Sequence, residues 1–394
     1  MFLLALTVGA LAANLYYAQP IIALIADSVG FSVSASGLIV TLIQAGYGVG
    51  VLLLVPLGDI MEVKKLVLSM IVVTIFGVIG LAFAGDIYSY LLAALVTGLG
   101  ASAAQVVVPY TSHLVEPQRR GQVVGTLMSG LMIGIMLSRP LSSYLTDLFS
   151  WHTIFIVSAV IMVLVMIALA TVMPKKYPDK KDLKYRNLLT SMYHIYKTEK
   201  ILRRRSIYQA SMFSAFCIFW TASPLYLMGS DMGFTQTEIA IFALAGVAGA
   251  IVAPLSGKVA DRGHISMGTV VAMSSASLAF LLGHLHFADR NIVFGLLVFC
   301  AILLDAGVTA NLVLGQRVIF SLPAEIRSRV NGLHVATIFI GGAIGSALGA
   351  WSFVKGGWPL TSMVGFSLPV IGLLYFLTES KILKEEIKHK LAHN

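Results

Sequence analysis

Gly130-Leu131-Met132-Ile133-Gly134-Ile135-Met136-Leu137-Ser138-Arg139-Pro140-Leu141-Ser142-Ser143-Tyr144 decides how the chain is read. It lies in an apolar run from near Val123 to near Leu145, long enough to cross a bilayer as one helix. Arg139 then sits inside hydrocarbon. An arginine there costs about 2.5–3.5 kcal/mol on insertion scales, so it must face a polar cavity or a partner. The alternative is that Arg139 snorkels to the interface near Asp147, roughly 12 Å of helix away. Pro140 removes a backbone donor beside the charge and predicts a kink.

The rest of the chain repeats this character. Of its 394 residues 58% are hydrophobic and 11% charged, where soluble domains carry about 25% charged residues. The composition predicts an all-α membrane protein. Phe2–Ala26 is too long for the apolar core of a signal peptide and lacks a basic start, so it reads as the first span, behind an N-terminus open to trimming. Cys217 and Cys300 both fall in apolar spans and define neither a disulfide framework nor a metal site. His284 and His286 lie in one loop with no matching ligand set. No phosphate-binding loop, zinc-protease motif or nucleophile elbow is present. These readings leave out ATPases and membrane enzymes, and the only energy source expected is a proton gradient, with no bound cofactor.

Twelve apolar spans are expected, at about Phe2–Ala26, Ser36–Leu57, Leu66–Ala84, Tyr88–Leu114, Val123–Leu145, Thr153–Met173, Ile207–Met228, Thr237–Gly257, Ser266–His284, Ile292–Leu314, Val330–Phe353 and Leu360–Leu377. All but three of the 27 basic residues fall in loops on one side. The exceptions are Arg290 and Lys355 on the other side and Arg139 within the membrane. The positive-inside rule places both termini and the basic side in the cytoplasm. The net charge of +9 is then a topology signal and an attraction to anionic lipid rather than a nucleic-acid footprint. Within the polar central segment, Leu188, Leu189, Met192, Ile195 and Tyr196 recur at helical spacing. Lys184–Arg205 is therefore expected as an amphipathic helix on the cytoplasmic face.

The halves repeat. At an offset of 207, Gly125 matches Gly332, Gly134 matches Gly341 and Trp151 matches Trp358. The loop Glu116-Pro117-Gln118-Arg119-Arg120 falls opposite Pro323-Ala324-Glu325-Ile326-Arg327. The expectation is two pseudo-symmetric six-helix bundles, 1–173 and 206–378. They are joined by a basic linker, 174–205, and followed by a tail, 379–394. Duplicated bundles of this kind hold their site at the interface of the halves. The small-residue stripes Gly130/Gly134 and Gly341/Gly345/Gly349 predict close helix packing in spans five and eleven.

Two loops bring a family into view. Val55-Pro56-Leu57-Gly58-Asp59-Ile60-Met61-Glu62-Val63-Lys64-Lys65 lies between spans two and three, and Gly257-Lys258-Val259-Ala260-Asp261-Arg262-Gly263 between spans eight and nine. Each resembles the signature loop of the major facilitator superfamily, and the resemblance extends over essentially the whole chain. Within the superfamily the chain is similar to the bacterial drug:proton antiporter and sugar-efflux branch. Its opening Asn14-Leu15-Tyr16-Tyr17-Ala18-Gln19-Pro20 is similar to that of a group of bacterial efflux permeases. Three departures are visible. Ile60 replaces the basic residue after the first-loop aspartate. Ala94-Leu95-Val96-Thr97-Gly98-Leu99-Gly100 lacks the span-four arginine implicated in proton coupling. Arg139-Pro140-Leu141-Ser142-Ser143-Tyr144 stands where the antiporters end span five in Gly-Pro-x-x-Gly-Gly. The resemblance implies alternating access in a bacterial inner membrane. It also implies a conformational latch made by Asp59 with Lys64 and Lys65, and by Asp261 with Arg262.

Asp305 is the only carboxylate well inside a span, about 13 residues or roughly 20 Å of rise from the outer end of span ten. Burial favours the neutral form of an acid and a nearby arginine its charged form, so Asp305 is the candidate proton carrier. Arg139 is its alternating partner or a clamp for an anionic substrate, and a fixed structural ion pair is the plainer alternative. Cavity candidates are Asn14 and Tyr17, and Gln44 and Tyr47, each spaced to share a helix face. Gln105, Tyr110, Trp220, Asn311, Gln316, Asn331 and His334 complete the set. The expected protein is a monomeric secondary transporter exporting a small amphipathic or anionic compound against protons. An importer or uniporter of the same fold is the alternative, and a non-transporting membrane sensor or scaffold is a third reading.

Overall fold

A computed structural model describes residues 1–32, 35–112, 114–116, 120–175, 177, 184–379, 385 and 389. Residues 176 and 178–183 of the expected linker and nearly all of the expected tail lie outside the described residues. Among the described residues the chain is helical, with no strand.

The first span is a broken one. Helix α1 (Phe2–Ala13) ends at Asn14, whose side-chain Nδ2 donates to the Ala10 carbonyl at 2.9 Å. The backbone then closes short-range bonds, Leu15 N–H to Ala12 and Gln19 N–H to Tyr16, before α2 (Ile22–Val29) resumes. Pro20 offers no backbone donor in this stretch. Asn14 and Tyr17 therefore stand in a turn rather than on one helix face, which corrects the reason for pairing them.

Next come α3 (Leu38–Leu53), a 3-10 turn at Val55–Asp59, α4 (Val63–Ala82), α5 (Ile87–Ala101), α6 (Ala104–Ser112), α7 (Arg120–Leu148) and α8 (Trp151–Val172). Span four is thus two helices, α5 and α6. Helix α7 runs on through Pro140; the proline forfeits one bond of a 29-residue helix that is held closely against α1. The amphipathic segment divides into α9 (Tyr185–Thr198) and the first residues of α10 (Lys200–Met228). Leu188, Met192 and Ile195 are buried on its apolar face. The remaining elements are α11 (Gln236–Ala243), a 3-10 turn at Leu244–Val247, α12 (Ala248–Asp261), α13 (Ile265–Gly283), α14 (Arg290–Ile319), a turn at Ala324–Ile326 and α15 (Arg327–Leu377). Helix α15 is two spans joined at Gly356–Gly357, where Gly357 takes a φ of 62° that suits glycine. With α1–α2, α5–α6 and α11–α12 each counted as one broken span, α15 as two and the amphipathic α9 set aside, the described residues form the twelve spans of a multi-pass membrane protein.

The chain forms two compact units. The first holds Met1–Ser191 and Phe234–Leu244, and the second Met192–Gly233 and Ala245–Asn394. Within the first, α7 crosses α1 at backbone contact. A Cβ at Gly130 would fall on the Ala5 carbonyl, and one at Gly134 on the Gly9 carbonyl. Within the second, α15 crosses α10 the same way: a Cβ at Gly341 would lie 2.7 Å from the Ala210 carbonyl oxygen, and one at Gly345 would fall on the Ser214 backbone. The repeat also recurs at the starts of spans six and twelve. His152 Nδ1 bonds the Ala82 carbonyl at the end of α4 at 2.6 Å, and Trp358 Nε1 donates to the Gly283 carbonyl at the end of α13 at 2.7 Å.

Candidate functional site

In the first unit the polar groups gather where α7 meets the broken first span. Arg139, Ser142, Ser143 and Thr146 fall at i, i+3, i+4 and i+7, and all four are buried. Arg139, 2% exposed, donates from Nε to Gln19 Oε1 at 2.8 Å, and its guanidinium lies 5.0 Å from the centre of the Tyr16 ring. Cation–π contact and a side-chain amide both accommodate arginine away from water. Ser142 Oγ donates to the Tyr17 carbonyl at 2.7 Å, an acceptor released by the break in the first span. Ser158 Oγ on α8 donates to Asn14 Oδ1 at 2.6 Å. Gln19 Nε2 is buried with no hydrogen-bond partner among the described residues. Asp147, which marks the interface toward which Arg139 could snorkel, accepts a 2.6 Å bond from Thr237 Oγ1 of α11.

Gln44 and Tyr47 are both buried on α3, and Tyr47 OH accepts from Gln105 Nε2 at 3.0 Å. Tyr110 has a different use: its OH donates to the Pro174 carbonyl at 2.7 Å, tying the end of α6 to the chain leaving α8.

In the second unit the polar side chains lie along α10. Trp220 Nε1 donates to Asp305 Oδ1 at 3.0 Å; the tryptophan is 1% and the aspartate 4% exposed. Asp305 lies 15 residues into α14, roughly 22 Å along the helix and near the middle of the span. Helix α12 approaches this level through Gly249, whose Cβ would lie 3.6 Å from the Asp305 backbone oxygen. Asn311 Nδ2 donates to Gln209 Oε1 at 2.7 Å, and Gln209 Nε2 to the Val308 carbonyl at 3.3 Å. His334 Nδ1 and Ser206 Oγ are 3.0 Å apart. Gln316 and Asn331 are half-buried.

The latch residues separate. Asp261 pairs with Arg317 of α14 at 3.7 Å across exposed side chains, rather than with its neighbour Arg262, which is exposed. Asp59 is exposed at the end of its turn. Lys64 Nζ donates to the Ala170 carbonyl in the last turn of α8 at 2.7 Å. His284 bonds Ser362 Oγ at 2.8 Å.

Several residues escaped the sequence reading. Tyr16 and Gln19 stand inside the opening motif, and the spacing of Arg139, Ser142, Ser143 and Thr146 was a legible signal. Gln209 and Ser206 have only their partners to reveal them. Arg205 and Glu379, assigned to linker and tail, form an ion pair at 3.4 Å with side chains 2% and 1% exposed. Arg205 also lies near the rings of Tyr208 and Phe376. Beside it Arg204 donates to the Tyr375 carbonyl at 2.6 Å and to Thr378 Oγ1 at 2.7 Å.

Compared with known proteins, residues 4–319 match the family model described as Major Facilitator Superfamily. The chain is 34% identical over 375 residues to YgaY of Escherichia coli (strain K12), described as an uncharacterized transporter; the match covers 94% of this chain and 93% of that protein. It is 28% identical over 371 residues to the transporter SCO4007 of Streptomyces coelicolor, covering 94% and 85%. It is 24% identical over 241 residues to the transporter AraJ of Escherichia coli (strain K12), covering 60% and 59%.

Proposed function

The chain belongs to the major facilitator superfamily of membrane transporters, and on that premise we propose that it exports a small amphipathic or anionic compound in exchange for protons. The observation that carries this reading is Asp305, a carboxyl group buried at mid-span and bonded to the Trp220 indole. A group at that depth is a functional site by default. Its two protonation states differ by a full charge, so a change in its surroundings on alternating access is answered by uptake or release of a proton. Arg139 serves as its alternating partner or holds the anionic part of the substrate. The buried amide donor Gln19 Nε2 beside Arg139 supports the second role. Asn14, Tyr17, Gln44, Tyr47 and Gln105 of the first unit and Trp220 and Asn311 of the second are the polar groups assigned to the substrate. Transport proceeds by alternating access in a bacterial inner membrane, in a monomer with both termini in the cytoplasm. Asp59 with Lys64 and Lys65, and Asp261 with Arg262, make the latch of the basic side, and the Asp261–Arg317 pair supports its second half.

The test is proton movement in everted vesicles carrying a pH gradient, with a panel of anionic and amphipathic compounds added to wild type and to Asp305→Asn. A compound that dissipates the gradient only with wild type supports antiport. A panel that leaves the gradient intact while labelled compounds equilibrate contradicts it.

One observation favours a uniporter as the second reading. In span four, Gly98 and Gly100 of α5 press against the backbones of α3 and α4, so a Cβ at Gly98 would fall on the Ile43 carbonyl. This stretch is a packing surface in place of the family's coupling arginine. Counterflow without a pH gradient distinguishes the two.

A further inference from the structure

At the basic end of α4 the surface opens into a groove of about 340 Å³. Lys64, Lys65 and Lys175 stand around it, with Glu62 as its one carboxylate, and Leu68 and Val72 form its apolar wall. We propose that this groove seats the head group of an anionic phospholipid, with the acyl chains running down α4 and α8.

Three features support that occupant. First, three ammonium groups face one carboxylate, so the groove carries excess positive charge at the depth where α4 leaves the membrane; a phosphodiester accepts hydrogen bonds from several lysines at once. The bond from Lys64 Nζ to the Ala170 carbonyl fixes one ammonium at the rim and joins α4 to α8. Second, the groove continues into apolar surface. Phe76 and Ile79 on α4 are 69% and 40% exposed, and Leu164 and Ile167 on α8 are 61% and 55% exposed. From Lys65 to Phe76 the helix descends roughly 16 Å, about half the hydrocarbon thickness and so the reach of one leaflet. A soluble anion would use the lysines and leave this stripe unexplained. Third, the matching turn at the start of α13, Ile265-Ser266-Met267-Gly268, carries no basic side chain. The cluster is therefore a local feature of the first unit and not a general consequence of the charge bias that orients the chain.

The test uses the full chain purified in mild detergent. Native mass spectrometry is read against phosphatidylglycerol, against phosphatidylcholine with the same chains, and with inorganic phosphate as competitor. The groove variant is Lys64→Gln/Lys65→Gln/Lys175→Gln. The control variant, Lys197→Gln/Lys200→Gln/Lys258→Gln, removes the same charge from exposed positions elsewhere. Wild type and control are expected to hold phosphatidylglycerol in preference to phosphatidylcholine. The groove variant should lose roughly five-fold in affinity per lysine, on the order of a hundred-fold in all. Val72→Trp, which fills the groove and keeps its lysines, should weaken phosphatidylglycerol as well. Equal binding by the groove variant and wild type overturns the proposal. So does an equal loss in the control, which would mean diffuse attraction, or displacement of the lipid by inorganic phosphate at matched concentration, which would mean a free-anion site.

Discussion

Trp220 and Asp305 are joined by a 3.0 Å bond from the indole N–H to the carboxyl oxygen, between α10 and the middle of α14. The donor is rigid and both groups are buried, so it fixes where the acid points. A hydrogen bond to a charged acceptor contributes about 1.5–3 kcal/mol. Trp220→Phe should therefore slow proton-driven transport by about ten-fold or more without abolishing it. Asp305→Asn should abolish the proton dependence and leave exchange of substrate in place. Rates in vesicles with and without a pH gradient check both.

Arg139 depends on Gln19 and Tyr16. Arg139→Gln should remove transport of an anionic substrate while the protein still inserts and folds. Gln19→Ala should weaken apparent substrate affinity more than the maximal rate. Initial rates over a range of substrate concentrations separate these effects.

The glycine crossings bear on stability. Gly134→Val and Gly345→Val push side chains into the backbones of α1 and α10, and overpacking of this kind costs about 1–3 kcal/mol. Gly125 and Gly332 match in the repeat and have open space where a Cβ would go. Gly125→Ala and Gly332→Ala should therefore be neutral or gain about 0.5–1 kcal/mol of helix stability. Thermal unfolding in detergent reads all four.

Arg205 and Glu379 carry charge out of water together. Removing one partner of such a pair costs about 3–5 kcal/mol, whereas replacing both by apolar groups is often neutral. Glu379→Ala should lower the melting temperature strongly, and Arg205→Met/Glu379→Leu should recover most of the loss. A double variant no more stable than the single one would contradict this.

Asp86 caps α5 from the loop after α4. Its carboxylate accepts from the Ser89 N–H, then from Ser89 Oγ, with the Tyr88 N–H adding to the set, and these bonds hold it below the usual carboxylate range. The folded state thus binds the proton less readily than the unfolded chain. The stabilisation is present in full above the unfolded carboxylate's value and is lost as pH falls through the lowered one. The melting-temperature gap between wild type and Asp86→Ala should be steady at neutral pH and close below about pH 4.

Much of this was legible in the chain, because bilayer length and small-residue spacing are local properties. The stripes at Gly130/Gly134 and Gly341/Gly345 do mark the crossings, and Asp305 is buried at mid-span. Pairings were harder, because a partner is a tertiary fact. The chain from Asn14 to Ile21 reads as apolar enough for a helix, yet the Asn14 side chain and Pro20 interrupt it and bring Gln19 to Arg139. Arg205 and Glu379 look like solvated charges at the ends of polar segments, and only the packing of α10 on the end of α15 buries them. The bond from Lys64 to the Ala170 carbonyl is likewise a tertiary fact that the lysine pair in the loop does not announce.

The most direct measurement is infrared difference spectroscopy of the reconstituted protein as pH is stepped from acid to alkaline, comparing wild type with Asp305→Asn. A proton-carrying Asp305 predicts a carboxylic C=O band in wild type that disappears with rising pH and is missing from the variant. Spectra that superimpose at every pH would show that Asp305 keeps one protonation state throughout, and would contradict its role as the proton carrier.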